Sequence, residues 1–184
     1  DANGGTDLTE SGLAAADQAT DTPTNNFCTL NPLNAATSSG FTYSEGNTKA
    51  LGSSSWRGGS GTFGVTSGKW YWEMKGSGAS THIGAATDGY ISSGSADNEA
   101  GYLPISTSEK TYTYYTNGKL YTVNTDGSQA NTSYGNTYTT EIIGVALNLD
   151  DNELKFYKDN TVQNSGTAIS IASGFTYMPI FHVS

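Results

Sequence analysis

Groups able to do chemistry are few in this sequence and far apart. The candidates are His82 and His182, the lone Cys28, the strand acid Glu73, and two polar runs, Asp97-Asn98-Glu99 and Asp150-Asp151-Asn152. A serine nucleophile needs a sharp turn and a histidine partner, and the pattern Gly-x-Ser-x-Gly does not occur. Glycoside hydrolysis needs two carboxyls facing each other across the sugar bond. The strand signature Glu-x-Asp-x-x-Glu is missing, so Glu73 and Glu99 stand as isolated acids. Neither polar run has the spaced oxygens of a strong calcium loop, and both read as solvated turns. His82 and His182 fall on or beside strand-like segments and read as hydrogen-bonded strand histidines, with neither a triad nor a metal site around them. Cys28, beside Phe27 and without a basic neighbour, reads as a small buried hydrophobe. No catalytic residue, metal or cofactor is expected, and the chain is read as a non-enzyme.

Recognition is the chemistry better supplied. Trp56, Arg57, Tyr90, Asp97, Asn98, Glu99, Tyr102, Tyr134 and Tyr138 lie in turn-rich stretches. Tyrosine and tryptophan give contact area at small entropic cost and stack on sugars or peptide groups, while Asp and Asn give directional hydrogen bonds. These nine residues are the candidate ligand-binding set.

The elements that must position them are short strands. Residues 68–74 (Gly-Lys-Trp-Tyr-Trp-Glu-Met) carry aromatics at odd and even positions and predict a strand covered on both faces. Ile83-Gly84-Ala85-Ala86 follows after a Gly/Ser turn. Residues 111–116 and 119–123 flank Asn117-Gly118, which predicts a type I′ hairpin turn. Residues 142–149 and Leu154-Lys155-Phe156-Tyr157 bracket the polar corner at 150–152, and a last apolar strand runs over 177–183. No helical period separates these segments, so an antiparallel sandwich is the simplest closure.

Composition agrees. The chain of 184 residues has room for one domain with a real core. Its 23 Gly, 12 Tyr, 6 Phe and 3 Trp, with only 14% charged residues, suit turns and half-buried sheet faces. A net charge of −9 with 8 Lys and Arg argues against nucleic acid and anionic lipid as partners. No apolar run approaches the roughly 20 residues that span a bilayer, so membrane insertion is not expected. Residues 1–24 lack aromatics and read as an arm or connector, with a short helix over 8–19, and the sandwich occupies 25–184. A chain opening on Asp1 is expected to be processed or cut from a longer protein.

Several motifs then fall in a known order: Trp56-Arg57-Gly58, Ser67-Gly68-Lys69-Trp70-Tyr71-Trp72-Glu73, Ile83-Gly84-Ala85-Ala86, Ile143-Gly144-Val145-Ala146-Leu147-Asn148-Leu149-Asp150, Leu154-Lys155-Phe156-Tyr157-Lys158-Asp159-Asn160 and Tyr177-Met178-Pro179. In this order they resemble the SPRY family. Leu30-Asn31-Pro32-Leu33 and Tyr43-Ser44-Glu45-Gly46-Asn47 are similar to the strand unit that often precedes its core. The family commonly has Asp where Asn148 stands and Asn-Gly where Asp159-Asn160 stands; both substitutes suit a turn. The resemblance implies an all-β, antiparallel two-sheet bent sandwich of the concanavalin A-like kind. It also implies binding of protein segments through a loop-built face without catalysis, with Glu73 an ordinary strand residue.

The stretch from Asp21 to Pro32 is similar to the lead-in of SPRY-like domains in tail and fibre proteins of tailed bacteriophages. On that footing the expected function is adhesion: a virion-borne, extracellular module on a tail fibre or capsid that meets a host-surface glycan or protein through its loops, strengthened by multiple copies, as in a homo-oligomer. A second reading makes it a structural decoration protein that docks neighbouring virion proteins through its arm. A third, glycoside hydrolysis, would rest on Glu73 and Glu99.

Overall fold

The computed structural model describes residues 26–33, 41–52, 57–77, 80–88, 110–123 and 129–183. The arm and helix expected over 1–24 lie outside the described residues. In chain order the strands are β1 (Phe41–Ser44), β2 (Lys49–Gly52), β3 (Arg57–Ser60), β4 (Lys69–Lys75), β5 (Thr81–Thr87), β6 (Thr111–Tyr115) and β7 (Lys119–Val123). They continue as β8 (Gln129–Ser133), β9 (Ile142–Asn148), β10 (Glu153–Lys158), β11 (Thr161–Val162), β12 (Ile169–Ser170) and β13 (Tyr177–Val183).

Two sheets stack. One runs β3-β13-β5-β6-β7-β8; the other runs β11-β10-β9-β4, with β12 also on β10. β1 and β2 form a separate hairpin, whose Phe41 ring packs 5.3 Å from Phe181. The paired strands are antiparallel throughout, as expected where strands follow one another without helical crossovers. The all-β sandwich read from the sequence is the fold.

Strand alternation builds the core. Ile83 and Ala85 of β5, Tyr112 and Tyr114 of β6, Ile143, Val145 and Leu147 of β9, and Leu154 and Phe156 of β10 meet between the sheets. Burying each of the larger of these side chains is worth about 1.5–3 kcal/mol. β5 is buried at every position, whereas β4 is not.

Three local expectations are corrected. In β4, Trp72 and Met74 pack on the core, but Trp70 and Tyr71 are 43% and 53% exposed. An antiparallel sheet can leave one face in water, and alternation sends Tyr71 to that face. The hairpin between β6 and β7 forms, but its turn is not type I′: the Gly118 N–H donates to the Tyr115 carbonyl at 2.9 Å, Gly118 takes φ +85°, and Asn117 is not at positive φ. That is the three-residue loop with glycine at its left-handed end. The two-residue turn with both residues at positive φ occurs instead at Asp159 (φ 44°) and Asn160 (φ 62°), joining β10 to β11. Cys28, finally, is exposed; its segment lies along the rim, where Leu30 bridges Gly61, and not inside the sandwich.

Candidate binding surface

Strand direction decides where the loops emerge. Ala86 pairs with Thr111, Thr122 with Tyr112 and Val123 with Gln129. Segments 88–110 and 124–128 therefore leave from the same end of the six-stranded sheet. Tyr90, Asp97, Asn98, Glu99 and Tyr102 belong to the first of these segments and lie outside the described residues, as does Trp56. Arg57 opens β3 and pairs with Val183, which in turn pairs with Thr81. That is the opposite end of β5, about 20 Å away at some 3.3 Å per residue. The backbone thus separates Arg57 from the strand ends that carry segment 88–110.

Tyr134 and Tyr138, expected as contact residues in an exposed loop, are core side chains, 7% and 2% exposed. The connection from β8 to β9 must cross from one sheet to the other, and these two rings fill the end of the sandwich as it does so. A buried phenol needs a partner. The Tyr138 hydroxyl lies 2.9 Å from the Thr81 carbonyl and 2.8 Å from that of Tyr114, donating between them. Tyr134 accepts the Phe156 N–H at 3.3 Å. Burial, then the neighbouring Tyr114 and Tyr115, holds the Tyr138 phenol well above its usual range; burial pushes Tyr114 up to about 12. Neither Tyr134 nor Tyr138 is free to meet a ligand.

Buried Gln163 fastens this connection, a role with no signal in the sequence. Its Oε1 accepts the Asn136 N–H at 3.0 Å, its Nε2 donates to Thr161 at 2.9 Å, and Tyr114 donates to the Asn136 carbonyl. On the same stretch Lys158 bonds Glu141 at 2.8 Å and the Thr137 carbonyl at 2.7 Å. Lys158 first, then the N–H groups of Thr139, Glu141 and Thr140, holds the Glu141 carboxyl down at about 2.

The remaining polar candidates have structural surroundings. His82 and His182 face each other across the β5–β13 pair, both buried. His82 stacks on Tyr115 at 4.2 Å, and its Nδ1 lies 3.0 Å from the Thr113 hydroxyl. Burial, and then His182, lowers His82 well below the usual imidazole range; burial brings His182 down to about 4. At the 150–152 corner, Asp150 accepts the Gly68 N–H at 3.0 Å and Asn148 bonds Asp151 at 2.7 Å, so these oxygens close a turn. Among the described residues no three His, Cys, Asp or Glu side chains gather as a cation site. Glu73 is exposed on β4 and accepts the Tyr71 hydroxyl at 2.8 Å. Burial and that bond hold the Tyr71 phenol above its usual range.

Comparison with known proteins places this architecture. The SPRY domain model matches residues 69–184. No curated protein matches the chain. Among solved structures, the chain is similar to the SPRY domain of human HERC1, with TM-score 0.51 and 14% identity over 71% of this chain and 76% of that one. It is similar to the TRIM65 PSpry domain, with TM-score 0.60 and 15% identity over 84% and 83%. It is also similar to stonustoxin, with TM-score 0.59 and 22% identity over 84% of this chain but 25% of the toxin chain. At these identities the likeness concerns the fold. The family match extends from β4 through β13, covering the five-stranded sheet and every strand of the six-stranded sheet except β3, and on that basis the chain belongs to the SPRY domain family.

Proposed function

We propose that the chain is a non-catalytic binding module whose main recognition surface is the end of the six-stranded sheet from which segments 88–110 and 124–128 emerge, and that it takes a protein segment there. One observation carries the reading: the antiparallel pairs Ala86 with Thr111 and Val123 with Gln129 anchor both segments at a common end. The first segment supplies Tyr90, Asp97, Asn98, Glu99 and Tyr102, flat rings beside hydrogen-bonding groups. Rigid paired strands hold the anchor points, which lowers the ordering cost of binding.

The setting we propose is extracellular, on a virion, with a host-surface protein or glycan as target and several copies acting together. The lead-in over residues 21–32 and the low lysine and glutamate content support it.

Panning a displayed library of random peptides on the purified chain tests the recognition surface. The expected result is an enriched peptide whose affinity falls by about tenfold, some 1.4 kcal/mol, in the triple variant Asp97→Ala, Asn98→Ala, Glu99→Ala and in Tyr102→Ala, with the unfolding transition unchanged. Absence of enrichment, or peptides that bind these variants as well as the parent, overturns the proposal.

A further inference from the structure

The outer face of the five-stranded sheet carries side chains that neither the core nor the loops use. Pairing aligns Tyr71 with Ala146 and Lys155, and Glu73 with Gly144 and Tyr157, in neighbouring rows. The Tyr71 ring lies over Gly144: a Cβ at that glycine would stand 2.3 Å from the Tyr71 hydroxyl oxygen and 2.9 Å from its Cζ. The ring therefore takes the space a side chain on β9 would have filled. Tyr157 meets it edge-on at 6.3 Å, and Glu73 accepts its hydroxyl. Held from three directions, the ring is still 53% exposed.

Beside it runs a groove of about 340 Å³ whose lining includes Trp70, Tyr71, Ala146, Glu153 and Lys155. Trp70 is fixed by its own bond, Nε1 donating to the Ser67 carbonyl at 2.8 Å. The same indole borders a second groove, of about 410 Å³, lined by residues 62–67.

A fixed aromatic ring open to solvent, next to a small alanine, suits a flat ligand with an apolar face. Polar groups around it include both donors and acceptors, and charges of both signs are interspersed: Lys69, Lys75 and Lys155 stand among Glu73, Glu153 and Asp151, the last 3.9 Å from Lys69. A mixed field of this kind favours neither a polyanion nor a cation, and it matches an uncharged polyhydroxylated ligand. We infer that this face is a second binding site, for a neutral glycan whose pyranose ring stacks on Tyr71 and whose hydroxyls meet Lys155 and Glu153. It is independent of the loop surface, being built on β4, β9 and β10.

Electrophoresis in native gels cast with dextran, galactomannan, hydroxyethylcellulose or polygalacturonate tests it. The parent chain is expected to be retarded in at least one neutral polysaccharide and not in polygalacturonate. Tyr71→Ala weakens the binding roughly tenfold, on the scale of a lost stacking contact, while Tyr71→Phe, which keeps the ring, stays close to the parent. The double variant Glu153→Ala, Lys155→Ala gives a second reading through the polar contacts alone. The 97–99 triple variant binds as the parent does, which separates this site from the loop surface. Migration unchanged in all the neutral gels, retardation confined to polygalacturonate, or full binding by Tyr71→Ala each overturns the inference.

Discussion

His182 faces His82 across adjacent strands, ring centroids 6.2 Å apart, with both imidazoles buried. In the unfolded chain each accepts a proton near pH 6.5. In the folded chain His182 does so only near 4, and His82 well below its usual range. Between those values the unfolded state binds more protons, so stability is complete above about pH 6.5 and declines as the pH falls toward 4. Glu141, held at about 2, acts in the same sense: its contribution is present above the ordinary carboxylate range and is lost on further acidification. Stability read from urea unfolding is expected to be level from pH 8 to 7 and to fall by several kcal/mol by pH 4, because each histidine held neutral costs about 1.4 kcal/mol per pH unit once the unfolded chain is protonated. A urea midpoint that rises on acidification would contradict the burial of this pair.

Tyr138 distinguishes a core role from a contact role. Removing its hydroxyl in Tyr138→Phe leaves the Thr81 and Tyr114 carbonyls without their phenol donor and is expected to cost about 1–3 kcal/mol. Tyr138→Ala should cost about 3–5 kcal/mol through the cavity it opens. A surface contact residue would change urea stability by less than about 0.5 kcal/mol.

The β6–β7 turn makes opposite demands on its two residues. Gly118 sits at φ +85°, and an added Cβ would lie 2.6 Å from the Gly135 carbonyl, so Gly118→Ala is expected to destabilise by about 1–3 kcal/mol. Asn117 is not at positive φ and caps the turn by accepting the Lys119 N–H at 3.0 Å. Asn117→Gly should therefore weaken the fold by about 0.5–1 kcal/mol. A type I′ turn would instead have tolerated glycine there. Thermal unfolding of the two variants reads the difference.

Gly144→Val tests the seat of Tyr71. A side chain at 144 must displace the ring from β9, and the expected cost is about 1–3 kcal/mol. In a spectrum of the folded protein, the ring resonances of Tyr71 and its neighbour Tyr157 should move while those of Tyr138, in the core, stay in place. Unmoved Tyr71 resonances would contradict the seating.

Most of the longer strands were legible in the sequence because alternation and turn residues are local signals, whereas β8, β11 and β12, polar or two residues long, give no such signal. Segments 142–149, 154–157 and 177–183 are marked by hydrophobicity and the Asp-Asp-Asn corner alone, within a residue of the strands Ile142–Asn148, Glu153–Lys158 and Tyr177–Val183. The order of motifs reached the family for the same reason. Which side of each strand faces water is a pairwise matter: Tyr71 is exposed because Gly144 and Ala146 beside it are small and its sheet face is open. Trp72, one residue away, packs inward.

What the sequence determined by itself is the inventory: short strands rich in aromatics, few cations, and polar corners between the strands. What only the tertiary structure decided is the fate of each tyrosine. Tyr134 and Tyr138 sit among Gly, Asn and Thr, a local setting that reads as exposed loop. The crossing between sheets turns them inward, because a phenol that finds carbonyl and N–H partners, as theirs do, can close an otherwise open end of the core. Burial is set by what folds against a residue, and that partner lies far along the chain.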